Sequence, residues 1–101
     1  MIIDRKYKIL AVNPCSSNHH DENDSILFLA KDKAVPAMLK TYYEECKKLN
    51  PNNTAHLESI ILLTERVVKY QKDIESKIPD TDLPCEIERC VNGNINVSNN
   101  A

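Results

Sequence analysis

The sequence predicts a mainly α-helical fold built on an antiparallel helical hairpin, and two observations carry that expectation. Apolar residues recur at helical spacing along two long stretches, Val35 to Leu49 and Leu57 to Ile78. Between them lies Asn50-Pro51-Asn52-Asn53, a run of residues that stop helices or accept left-handed backbone, so the chain reverses there. Around this hairpin the pattern places a short preceding helix, a short N-terminal strand, and a C-terminal segment that is either a β-hairpin or a disordered tail.

Taken in chain order, Lys6 to Val12 alternates in part and is closed by Asn13-Pro14, which suits one strand or an extended arm. Cys15 to Asp24 is polar apart from its cysteine and reads as a loop. Asp24 or Ser25 can cap a first helix over Ile26-Leu27-Phe28-Leu29-Ala30. Pro36 suits the first turn of a helix and not its interior, so a break is expected near Ala34-Val35 and a second helix begins there. Val35, Leu39, Tyr42, Cys46 and Leu49 then line one apolar face, widened by Met38 and Tyr43.

Asn53 or Thr54 caps the longest helix, expected from Thr54 to Lys77 and roughly 36 Å long at 1.5 Å per residue. Leu57, Ile60, Thr64, Val67, Gln71, Ile74 and Ile78 form its seam at heptad spacing. Ile61, Leu63 and Val68 broaden the apolar surface, so this helix needs more than one neighbour, and a second subunit would cover its far end. Thr64 and Gln71 are polar seam positions that either fix register between subunits or face solvent. Glu44 with Lys48, Glu65 with Lys69 and Asp73 with Lys77 are acid-before-base pairs that mark solvent-facing sides. Pro79 ends the helix, and residues 79–101 read as a partly flexible segment in which Asn92-Gly93 favours a tight hairpin turn. The whole reads as a single domain, residues 1–101, with its core in 24–78.

Composition narrows the class. With 42% hydrophobic and 28% charged residues the chain is expected to fold. At 101 residues it buries only about two-thirds of its unfolded surface, which makes a homo-oligomer a natural expectation. A net charge of -2 lacks the basic excess of a protein that wraps phosphates, so broad nucleic-acid binding is disfavoured. No run approaches the ~18 apolar residues of a membrane span and the N-terminus lacks the order of a secretory signal, so a cytoplasmic location is expected. Four cysteines in that setting read as free thiols or metal ligands before disulfides.

Three groups of residues could carry chemistry. Cys15, His19, His20, Asp21, Glu22 and Asp24 cluster ligand-type side chains, and Cys15 and His19 could join Cys85 and Cys90 in a structural zinc site. The Cys85-x₄-Cys90 spacing is wider than usual and the knuckle glycines are missing, so no cofactor is the preferred expectation. The acidic residues also suit a simple helix start, where negative charge meets the positive end of the dipole. Cys15 with His19 lacks a third group to orient a base, and no phosphate loop or nucleophile elbow is present, so an enzyme is not expected. Finally, Tyr43, Arg66, Lys69 and Tyr70 are cationic and aromatic groups of the kind that hold an anionic nucleotide between subunits.

On Asn18-His19-His20-Asp21-Glu22-Asn23, Ala30-Lys31-Asp32 and Pro36 through Cys46, the chain resembles, over residues 13–78, small accessory proteins encoded by bacteriophages and prophages. The resemblance carries no site residues. It implies action by stoichiometric binding, either inhibiting a host factor or sequestering a signal in counter-defence. The expected function is therefore a non-enzymatic inhibitor that binds a host protein through its acidic loop (His19, His20, Asp21, Glu22, Asp24) and helix faces. The alternatives are an oligomeric sponge for an anionic nucleotide and a zinc-stabilised interaction module.

Overall fold

A computed structural model describes residues 1–79, so the expected C-terminal hairpin or tail, with Cys85 and Cys90, lies outside the described residues. The fold is mainly α with a small β element: β1 (Leu10–Val12), β2 (His19–Asp21), α1 (Val35–Leu49) and α2 (Thr54–Asp73). The described residues fall into two compact units, Met1–Leu27 and Phe28–Pro79.

In the first unit β1 pairs antiparallel with β2, in the register Leu10 with Asp21, Ala11 with His20 and Val12 with His19. The strand's partner thus comes from residues expected to be loop. The reversal is made by Asn13, whose carbonyl accepts the N–H of Ser17 at 2.7 Å and whose side chain accepts that of Cys15 at 2.9 Å. A two-stranded ribbon exposed along both strands is marginal by itself. Here it is held by the chain before it, because the Glu22 carbonyl accepts the N–H groups of Ile3 and Asp4.

The expected first helix over residues 24–30 is not formed, and the hydrogen bonds show why. The Asp24 carboxylate turns back to the Asp21 N–H at 3.0 Å instead of capping forward, and the Leu27 N–H is taken by the Asp4 carboxylate at 2.9 Å. The apolar block has no helical periodicity to favour a turn of helix over these bonds. It follows that Asp21, Glu22 and Asp24 do not sit at a helix N-terminus.

The second unit is the expected hairpin. Val35 opens α1 with Pro36 in its first turn, where a missing N–H costs nothing. Asn53 caps α2, its side chain accepting the His56 N–H at 3.3 Å. Val35, Leu39 and Val67 make the buried centre, and Leu57 and Ile60 continue the seam. The outer part of the expected α1 face is not covered, since Tyr42 is 51% and Leu49 84% exposed. Helix α2 stops one turn earlier than expected. The Lys77 N–H donates to the Lys31 carbonyl at 2.7 Å and its carbonyl accepts the Lys33 N–H, so a parallel bridge replaces the last helical turn. This bridge and Gln71, whose amide donates to the carbonyls of Ala30 (2.9 Å) and Asp32 (2.7 Å), lay residues 30–33 against the far end of α2. Cover expected from a second subunit comes in part from the chain itself.

Candidate functional site

The ligand-type cluster of the first unit is divided by its own strand. His19 and His20 are neighbours in β2, so their side chains leave opposite faces of the ribbon. The His20 imidazole Nδ1 lies 2.8 Å from Asp24, whose other oxygen accepts the Ser25 hydroxyl at 2.9 Å. These contacts, that with His20 foremost, hold the Asp24 carboxyl below its ordinary range. Asp21 folds onto the Asn23 N–H, and Glu22 accepts the Ile9 N–H at 2.9 Å. Glu22 is thus part of the scaffold, while His19 and the paired His20 and Asp24 are exposed for contact. Cys15 is exposed in the β-turn region. Among the described residues no three His, Cys, Asp or Glu side chains converge on a common point.

On the hairpin, Tyr43, Arg66, Lys69 and Tyr70 are not brought to one place. Reversal at Asn50–Asn53 sets Tyr43 opposite the region of Ile60, about 15 Å along the axis from Tyr70 at 1.5 Å per residue. The Lys69 ammonium is occupied by Asp73 at 2.7 Å, replacing both the Glu65–Lys69 and Asp73–Lys77 pairings expected from spacing. A shallow groove does run along α2, lined by Thr64, Glu65, Val68, Lys69, Lys72 and Asp73. Its two carboxylates balance its two ammonium groups, so it offers an anion no net attraction.

Two further features of the hairpin lie outside these groups. The first is a flank of apolar side chains on α2 that α1 leaves uncovered. Ile61 (45% exposed) and Val68 (49%) lie on one side of the buried seam, and Leu63 (40%) and Ile74 (69%) on the other.

The second is a cluster at the closed end of the hairpin. Cys46, in the last turns of α1, lies with its Sγ 3.7 Å from Nε2 of His56 in the first turn of α2. The Tyr42 ring meets the imidazole edge-on, with centroids 6.3 Å apart and planes at 81°. The nearby Cys46 sulfur holds the Tyr42 phenol above its ordinary range. Tyr42 and Cys46 fit the helical period of a buried face, so their spacing points to packing and not to a site. His56 carries no sequence signal beyond its type, because its pairing depends on the length of the Asn50–Asn53 reversal. A scan of family models finds none that matches the chain, and no curated protein or solved structure matches it either.

Proposed function

We propose that the chain is a non-enzymatic binding protein of the bacteriophage accessory type, acting in the bacterial cytoplasm by stoichiometric contact with a host protein. The observation that supports this reading is the uncovered apolar flank of α2. A helix buries its apolar stripe against another element, and α1 alone leaves Ile61, Leu63, Val68 and Ile74 between 40% and 69% exposed. Apolar edges left exposed on either side of a covered seam are surfaces on which a partner's helices can pack. Ordinary solvated helices expose single apolar side chains, but here two pairs flank the same seam.

The test is co-purification of tagged protein from bacterial cells, with Ile61→Glu and Val68→Glu variants beside the wild type. One host protein is expected to be retained at a fixed ratio by the wild type and lost by both variants, with helicity unchanged. Retention of a small nucleotide in the native mass of the wild type, with no protein partner, would overturn the reading in favour of a sponge.

A further inference from the structure

We propose that Cys46 and His56 are half of a tetrahedral zinc site, completed by the same two residues of a second copy of this chain. Three features of the closed end of the hairpin support it. The ligand types are right, a cysteine sulfur and an imidazole nitrogen, as in the Cys₂His₂ sites of structural zinc. The spacing is right as well. With Zn–S about 2.3 Å and Zn–N about 2.0–2.1 Å, the 3.7 Å between Sγ and Nε2 subtends about 115° at a metal lying between them, close to the tetrahedral angle. Both residues also stand on helices fixed beforehand: Asn53 holds the His56 N–H and the Asn50 N–H bonds to the Cys46 carbonyl. The ligands are therefore preorganised on either side of a short reversal.

The pair can be reached from outside, since His56 is exposed and Cys46 only partly covered. Its neighbour Glu45 is turned to Lys48 at 2.9 Å. Among the described residues no third ligand-type side chain joins the pair. A two-fold axis through the hairpin tips supplies two thiolates and two imidazoles, which neutralises Zn²⁺ and closes its coordination. Tyr42 is a positioning residue in this arrangement: its ring meets the imidazole edge-on and holds its plane, as outer partners of metal ligands do. The site differs from the Cys15, His19, Cys85 and Cys90 set that spacing suggests, and it does not depend on the binding role proposed above.

Titration of the reduced full-length chain with Co²⁺, followed by visible absorption and native mass spectrometry, tests the site. The expected result is a tetrahedral, thiolate-bound cobalt spectrum saturating at one ion per two chains, displaced by Zn²⁺. Cys46→Ser and His56→Gln are expected to abolish it while leaving metal-free helicity unchanged, and Cys15→Ser to leave it intact. Absence of a tetrahedral spectrum, a spectrum that survives Cys46→Ser, or one ion per monomer that is lost in Cys85→Ser or Cys90→Ser would each overturn the proposal.

Discussion

Asp4 shows how much one side chain organises at the start of this chain. It is buried (7% exposed), and its two oxygens accept the N–H groups of Lys6 at 2.9 Å, Tyr7 at 2.8 Å and, across 23 residues, Leu27 at 2.9 Å. Hydrogen bonds to a charged acceptor are each worth about 1.5–3 kcal/mol, and removing the acceptor leaves its donors without it. Asp4→Ala is therefore expected to destabilise the first unit by about 3 kcal/mol or more, read as lost amide exchange protection at Leu27. Asp4→Asn, which keeps one oxygen, should cost less. Asp24 gives a different kind of prediction because it is exposed. Its folded pKa is depressed, so its contribution is complete above the ordinary value of 3.8 and is lost as pH falls through the lower folded value. The Asp24 carboxyl carbon resonance is expected to titrate below 3.8, and His20→Ala to raise its midpoint towards that value.

At the scale of elements, Gln71 decides how the hairpin is finished. Both of its amide protons go to main-chain carbonyls of the incoming segment, Ala30 and Asp32, and Thr64 bonds back to the Ile60 carbonyl at 2.8 Å. Neither polar seam residue is left to solvent. Gln71→Ala is expected to cost about 1–3 kcal/mol, from two lost bonds of about 0.5–1.5 kcal/mol each. A urea titration should show a lower midpoint with little change in slope. The same elements show what could be read from the sequence. Pro36 and the Asn50–Asn53 reversal act locally, so the ends of α1 and the start of α2 follow from residue type alone. The absent helix at 24–30 and the shortened end of α2 depend instead on bonds from Asp4 and Lys31, at sequence separations of 23 and 46 residues, which no periodicity reveals. The candidate site divides in the same way: ligand-type residues and the Asn50–Asn53 reversal are visible in the sequence, but the strand that parts His19 from His20 and the register that sets Cys46 beside His56 are not.

At the scale of the molecule, the described core is thin. Ile9, Val35, Leu39, Leu57, Ile60 and Val67 are its buried apolar side chains, and none of the described side chains is fully enclosed. Each fully buried aliphatic group contributes about 1.5–3 kcal/mol, while every residue ordered by folding costs about 1–2 kcal/mol of backbone entropy. Covering Ile61, Leu63, Val68 and Ile74 would add to the favourable side with little further ordering, because α2 is already formed. In purified protein a second copy of the chain is one candidate cover. A folded state that gains a partner is stabilised by mass action, by about 2.7 kcal/mol once the partner stands at a hundred times its dissociation constant. The melting temperature of metal-free protein is accordingly expected to rise with protein concentration, and Val68→Glu to flatten that dependence. A melting temperature independent of concentration in the wild type would show that copies do not cover this flank.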